Sequence, residues 1–503
     1  MNQYDFVIIG SGLGGLLCAN ILLKEGYSVC VLEKNRQFGG ALQIFVRDKA
    51  IHDTGVHYIG GLAPGQNLYQ FFSYLGLMEE LKLKRLSLEA FDKISFSGDD
   101  KIYNIPQGYE RFSQQLQAYF PKEKSAIEEY CEKLQEISAN TAVYNLKPFE
   151  PGAISPYQSI GLYDYLKSIT DNEKLRNVLM GNNLLYAARK EKTSLYEHAL
   201  ILNSYISSAW KCVDGGAQIA RALVKKAKAM GGTVRNYAEV ENMEVDTEKQ
   251  ISAVQLKDGE KIYGKNFISN VHPAQTLKMI GAAHFRKSYF QRMTAMENST
   301  SVFSVFLNLK EKSFPYLNHN CYHFRQADFW EAGKYKSKEW PKSMAIFTPA
   351  NSKDPEFAES MNIMCYMDFE EVSKWKNTYY TIPHNQQERG ADYRAFKRQK
   401  EEQVIDALEE RFPEIRSCIK SVYSASPLSY RDYLATPEGS MYGMLKDYQH
   451  NMATYVSHNT KLGNLFFTGQ NINLHGILGV TISAFVTCSE FVDMEKLMRE
   501  VRQ

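Results

Sequence analysis

The chain lacks most of the features that would assign it to a simple class. Its 503 residues hold only eight cysteines, and these fall at Cys18, Cys30, Cys131, Cys212, Cys321, Cys365, Cys418 and Cys488, with no C-x-x-C and no Cys/His group at metal-ligand spacing. A disulfide scaffold and a structural metal site are therefore excluded, and no metal is expected. Charge of one sign is also missing: 59 Lys+Arg against 57 Asp+Glu leave a formal net charge of +2. No basic stripe offers itself to nucleic acid, and no acidic tail is present. No window approaches about 18 uninterrupted apolar residues, so no transmembrane helix is expected. The start carries no basic n-region, its first charge being Asp5, so no signal peptide is expected either. The reading is a cytoplasmic protein, with peripheral contact to a membrane surface left open.

What the chain has in quantity is ordinary globular composition, 44% hydrophobic and 23% charged, with an unusual aromatic share from 32 Tyr and 27 Phe. Large Tyr and Phe side chains suit either a big core or a pocket for a flat apolar ligand. At roughly 150 residues per domain the length allows two to four domains.

The strongest local signal is at the beginning. Phe6-Val7-Ile8-Ile9 reads as a strand buried on both faces, and it runs into Gly10-Ser11-Gly12-Leu13-Gly14-Gly15. An apolar helix follows, then a strand over Tyr27-Ser28-Val29-Cys30-Val31-Leu32, with Glu33 at its end, 21 positions after Gly12. Strand, glycines, helix, strand and acid in this register make a βαβ dinucleotide site. Gly10 permits the tight turn, Gly12 lets main-chain N–H groups reach a pyrophosphate, and Gly15 lets helix and strand approach. Glu33 is expected to accept hydrogen bonds from ribose hydroxyls. A second glycine pair, Gly39-Gly40, stands just beyond Glu33-Lys34. An NAD domain has no need of it, whereas FAD enzymes of the glutathione-reductase type carry such a segment beside the nucleotide.

No second G-x-G-x-x-G follows any strand, so a separate NAD(P)H domain is absent and NAD(P)H is expected only as an external electron donor. Residues 61–209 read as mainly helical. One stripe holds Ile127, Tyr130, Cys131, Leu134 and Ile137. A second holds Leu162, Tyr165, Leu166 and Ile169, followed by Thr170-Asp171-Asn172-Glu173 as a capping box. The apolar run from Leu68 to Leu81 fits packing inside the protein better than a membrane-surface helix. Ser301 to Leu307 and Asn362 to Phe369 read as strands.

These segments together resemble the flavoprotein family of phytoene desaturases, carotenoid isomerases and retinol saturases. The resemblance is carried by residues 7–15, Glu33-Lys34 with Gly39-Gly40, His52-Asp53-Thr54-Gly55-Val56-His57-Tyr58-Ile59-Gly60, Val213-Asp214-Gly215-Gly216-Ala217, Ser269-Asn270-Val271-His272-Pro273, Leu465-Phe466-Phe467-Thr468-Gly469-Gln470 and His475-Gly476-Ile477-Leu478-Gly479-Val480. It is weakest over residues 80–200 and 280–390.

The resemblance implies an α/β fold with a glutathione-reductase-type FAD-binding Rossmann domain, discontinuous over residues 1–60, 210–280 and 436–503. A mixed-sheet and helical substrate domain is inserted over residues 61–209 and 281–435. It implies non-covalent FAD held by Gly10, Gly12, Gly14, Gly15, Glu33, Lys34, Gly39, Gly40, Val240, Gly469, Gln470, Gly479 and Val480, with the main chain at Val240 against the adenine edge. Gly479 is expected to open a final helix reaching Met498. Gln470 stands where relatives commonly carry an acid. The implied activity is an oxidoreductase working on carbon–carbon double bonds of an apolar isoprenoid, by saturation or isomerisation in preference to desaturation. His57, Tyr58 and His475 are the candidate proton-handling residues. An amine oxidase-like flavoenzyme is the enzymatic alternative. A non-catalytic isoprenoid carrier is the alternative from another class, and it is disfavoured because carriers of this fold lose the phosphate loop that this chain keeps.

Overall fold

In the computed structural model, which describes residues 3–149, 155–326, 330, 334–381 and 389–503, two seven-stranded sheets organise the chain. The first begins with strand Gln3–Ile9, whose Phe6, Val7 and Ile8 are wholly buried. It is flanked in parallel by Val29–Leu32 on one side and Lys261–Ser269 on the other. Thr233–Arg235 extends the sheet beyond Val29–Leu32. The strand Lys261–Ser269 divides its pairing: one end joins the antiparallel pair Ile251–Leu256 and Val240–Val245, and the other joins Leu465–Phe467 in parallel. A central parallel sheet is stable only when both faces are covered. Helix Leu13–Lys24, lying against Ala217–Ala229 and Gly476–Cys488, covers the face of Phe6 and Ile8, while Val7 and Ile9 on the other face pack in a cluster with Met243, Leu277 and Met293.

The second sheet runs in the order Ile419–Ala425, Ser301–Leu309, Ser360–Met367, Ser343–Phe347, Asn320–Phe324, Asp92–Phe96, Ile102–Ile105. It is mixed, as expected, because Asn320–Phe324 and Asp92–Phe96 pair in parallel while its other ladders are antiparallel. Strand Ser301–Leu309 is buried at all nine positions, so its sequence alternation does not reflect a solvent face.

Several local readings need correction. Residues 61–209 are not simply helical: Leu83–Arg85, Asp92–Phe96 and Ile102–Ile105 are strands. Their short apolar runs are broken by Lys93 and Asn104, which hid the pattern. The helix Glu173–Leu179 is capped by the Asn172 side chain, which accepts from the Leu175 N–H; Thr170 instead donates to Glu123. The final helix opens at Gly476 and stops at Cys488, with a separate helix Met494–Val501 after it. Gly479 therefore sits inside the first turn, where a Cβ would stand 2.5 Å from the Leu474 carbonyl oxygen.

The helical stripes did locate a core. Ile127, Tyr130, Cys131, Leu134 and Ile137 are buried on Lys124–Ala139, which packs against Leu195–Ser207. Tyr130 and Tyr186 hold the ring of His198 between them through bonds of 2.6 Å to its two nitrogens. Helix Asn67–Tyr74 turns Leu68, Phe71 and Phe72 inward, with Phe71 centred 4.5 Å from Phe485. All eight cysteines are buried and unpaired.

Candidate active site

The loop after the first strand is shaped by close main-chain approaches. Gly10 adopts φ +90 and donates its N–H to the Leu32 carbonyl at 2.8 Å. A Cβ on Gly15 would lie 2.2 Å from the Gly10 carbonyl oxygen, so only glycine lets the helix start this close to the strand. No side chain caps the helix Leu13–Lys24 and no acid lies in its first turn. Its first N–H groups and the positive end of its dipole are thus available to an anion. Gly12 and Gly39 form an isolated bridge, bringing the second glycine pair against the first. Asn270 closes the cradle: Cβ atoms on Gly12, Gly14 and Gly469 would stand 2.5, 2.6 and 2.6 Å from its side-chain amide.

This cradle forms one end of a cavity of about 740 Å³. Gly10, Gly12, Gly14, Glu33, Lys34, Gly39 and Gly40 line it, and so do Val240, Gly469, Gln470 and Val480. His57, Tyr58 and His475 reach the same space. Gly15 and Gly479 are outside the lining and act through packing.

Glu33 is held in place. Its carboxylate accepts from the Ser11 N–H at 3.1 Å, the Ser11 hydroxyl at 2.6 Å and the Asn35 N–H at 2.8 Å. Those three bonds tie the glycine loop to the end of the second strand. Lys34 donates to the Asp432 carbonyl at 2.6 Å, and burial lowers its pKa.

The far half of the cavity is built from side chains of the second sheet and the helical region: Ala345, Phe347, Met364, Tyr205, Tyr322 and Tyr442. His57 stacks on Phe347 with ring centres 4.2 Å apart, and its Nδ1 is buried without a hydrogen-bond partner. Burial, with a smaller push from Lys211, lowers its pKa to about 3. A ring held neutral in this way offers a hydrogen bond but is a poor source of protons at neutral pH.

His475 is similar, with burial taking its pKa to about 4. Its Nε2 meets the Leu185 carbonyl at 3.2 Å and its Nδ1 lies 3.6 Å from Glu197. The spacing suits an ion pair. Yet burial also raises Glu197 to about 7, so between about pH 4 and 7 the two groups meet without opposite charges.

Tyr58 differs from both histidines. Its hydroxyl donates to Asp92 at 2.9 Å and pairs with the Tyr322 hydroxyl at 2.7 Å. Asp92, Tyr322 and the bracing role of Asn270 were not legible in the sequence. Asp92 lies in the stretch read as helical, and Tyr322 is one of 32 tyrosines without a motif around it.

Comparison with known proteins agrees with this geometry. Residues 8–75 match the family described as NAD(P)-binding Rossmann-like domain. The chain is 27% identical to all-trans-retinol 13,14-reductase of Rattus norvegicus, across 99% of this chain and 88% of that protein. It is 23% identical to the chloroplastic prolycopene isomerase of Daucus carota, across 97% of this chain and 80% of that protein. Among solved structures, putrescine oxidase bound to putrescine aligns over 99% of both chains with a TM-score of 0.64 at 15% identity, a likeness of fold. The α/β fold with a Rossmann-like nucleotide end and a sheet-built far end is thus similar, along nearly the whole chain, to a retinol reductase and a carotenoid isomerase.

Proposed function

We propose that the chain binds FAD non-covalently and uses it to saturate or isomerise a double bond of a long apolar isoprenoid of the retinoid or carotenoid kind. The observation that carries this reading is the continuity of one cavity, from a main-chain anion cradle at Gly12 and Gly39 to an apolar, tyrosine-studded wall at Phe347 and Met364. The retinol reductase and prolycopene isomerase relatives support the choice of substrate class.

The residues present fit a dinucleotide. The uncapped helix start and the glycine cradle suit a pyrophosphate. Glu33 uses three acceptor positions on Ser11 and Asn35, and a carboxylate has about four, which leaves one for a ribose hydroxyl. Val240, on an edge strand at the cavity, offers main chain to the adenine. The orphaned Nδ1 of His57, a residue at the cavity wall, is a buried polar atom without a partner, suited to a polar atom of the ring system. When bound, a flavin supplies two-electron hydride chemistry that side chains lack. The protein's own part is to hold the polyene flat against Phe347 and Met364, to exclude water, and to supply a proton.

The discontinuous division into an FAD-binding part, residues 1–60, 210–280 and 436–503, and a substrate part, residues 61–209 and 281–435, belongs to the same proposal. So does NAD(P)H as an external donor only. Among the described residues no helix is long and apolar enough to cross a membrane. A cytoplasmic location, or one at a membrane surface that stores the substrate, goes with this reading.

The test is anaerobic. Purified protein carrying flavin is reduced chemically and mixed with all-trans-retinol or a carotene. Loss of the polyene band together with flavin reoxidation is expected for saturation, and a shifted band without reoxidation for isomerisation. Steady peroxide release with amines and no response to any polyene would replace this reading with the amine oxidase one.

A further inference from the structure

Asp92 is completely buried, and its hydrogen-bond partners are all neutral. Asn320 donates to Oδ1 at 2.8 Å, Asn182 donates to Oδ2, and the Tyr58 hydroxyl oxygen lies 2.9 Å from Oδ2. The parallel register that sets Asn320 beside Asp92 fixes the first of these. Lys211, whose own pKa burial lowers to about 7, directs its Nζ to the carbonyls of Leu317, His319 and Thr348 and not to Asp92. An ionised carboxylate without a paired charge is costly in such a place, so the proton is retained.

From Asp92 the hydrogen bonds lead in one direction: to Tyr58 at 2.9 Å, from Tyr58 to Tyr322 at 2.7 Å, and from there to the cavity that both tyrosines line. Each hydroxyl has one proton to donate. With Asp92 ionised, Tyr58 donates to the carboxylate and Tyr322 donates to Tyr58, so no O–H faces the cavity. With Asp92 protonated, the order reverses: Asp92 donates to Tyr58, Tyr58 to Tyr322, and the Tyr322 O–H is turned toward the ligand.

We propose that Asp92, Tyr58 and Tyr322 form a proton relay, with Tyr322 the acid that protonates carbon when the isoprenoid double bond is saturated. This rests on the function proposed above and names the residues that supply its proton. In the step, one carbon takes hydride from the reduced cofactor. The π pair of the double bond forms the second C–H bond with the Tyr322 proton. Tyr322 is reprotonated from Tyr58 and Tyr58 from Asp92, which ends as a carboxylate and recovers its proton from water. The alkene gains two electrons, the cofactor loses two, and an external electron donor restores them. Tyr322 is the catalytic residue; Tyr58 and Asp92 act through it.

Burial raises Asp92 to about 7, the bonds from Asn320, Tyr58 and Asn182 and the charge of Lys211 opposing the rise. Tyr205, from the neighbouring helix, and Cys321, on the adjacent strand, are further titratable groups on which the charge of Asp92 acts. The relay therefore runs below that pH and loses its proton above it.

The experiment follows anaerobic reoxidation of the reduced holoenzyme by all-trans-retinol or a carotene against pH, with the infrared C=O stretch of protonated carboxyls recorded on the same protein without substrate. Expected are a wild-type rate that falls as pH rises through about 7, and a carboxyl band that fades over the same range and is missing in Asp92→Asn. Tyr322→Phe should slow reoxidation by about 10²–10⁴-fold, the usual worth of a general acid, with flavin content unchanged. Asp92→Asn should give a slow rate without pH dependence. If Asp92→Asn does not fold, Tyr322→Phe, which loses one hydroxyl, decides alone.

A Tyr322→Phe rate within about twofold of wild type overturns the relay and leaves the proposed function standing. So does isomerisation without reoxidation, which needs no proton. Absence of the fading band overturns the relay as well. If wild-type protein consumes no polyene, the substrate reading falls and the relay falls with it.

Discussion

At the nucleotide end of the cavity the wall is mostly main chain, brought close by glycines that a single Cβ would push apart, and rigid because loop, helix start and strand brace one another. At the far end the wall is side chain throughout, with rings from separate strands and helices meeting around Tyr58, Tyr322 and Phe347. The first end can be broken by adding one carbon. The second should keep its shape under the same treatment and lose only its chemistry. Rigid backbone holds the cofactor in register, while hydroxyls on a packed scaffold handle protons.

Three substitutions test that contrast, in descending order of effect. Gly15→Val places branched carbon where even a Cβ stands 2.2 Å from the Gly10 carbonyl oxygen. Overpacking of this kind costs about 1–3 kcal/mol or more, and purified protein should be colourless with a lowered Tm. A yellow, stable Gly15→Val protein would show that the cradle tolerates expansion.

Asp92→Asn belongs to the other end and should leave flavin content intact. Its signature is in stability against pH. Asp92 is raised from 3.8 to about 7 in the fold, so the folded state binds more protons than the unfolded one between these values. The stabilisation is fully present below about pH 4, declines as pH rises through about 7, and is absent above. Denaturant titrations across that window should therefore show a shallower fall for Asp92→Asn than for wild type. Equal slopes would mean that Asp92 is ionised throughout.

Val240→Ala should do least. If the adenine meets main chain at this position, flavin affinity changes by no more than about twofold, since the side chain takes no part; a tenfold loss, about 1.4 kcal/mol, would assign the contact to the side chain.

The same contrast explains what could be read from sequence. Gly10, Gly12, Gly15, Gly39 and Gly40 announce themselves because backbone geometry demands glycine at particular spacings, and a βαβ unit of about 30 residues is local. Val240 and Gln470 were found only through the resemblance, and both line the cavity. The tyrosine wall was not legible. Apart from Tyr58, which the resemblance singled out, its members Tyr205, Tyr322 and Tyr442 come from distant segments, and a residue lining an apolar pocket is chemically indistinguishable from core. His57 and His475 drew notice as ionisable groups near glycine motifs, yet burial keeps both neutral. Asp92 was hidden for a related reason: a lone acid heading a five-residue strand looks like surface, and only its partners Asn182, Asn320 and Tyr58 reveal that it is interior.

The way strand Lys261–Ser269 shares its edges also bears on how the protein is made. Strand Gln3–Ile9 gains one parallel neighbour, Val29–Leu32, within a few tens of residues, but the other, Lys261–Ser269, arrives some 250 residues later, and Leu465–Phe467 about 200 after that. Pairings this far apart in sequence form slowly, and an apolar strand waiting for them is exposed to aggregation. Until translation has passed Phe467, nascent chains should depend on chaperones to shield Phe6, Val7 and Ile8, and cofactor loading becomes a late event in synthesis.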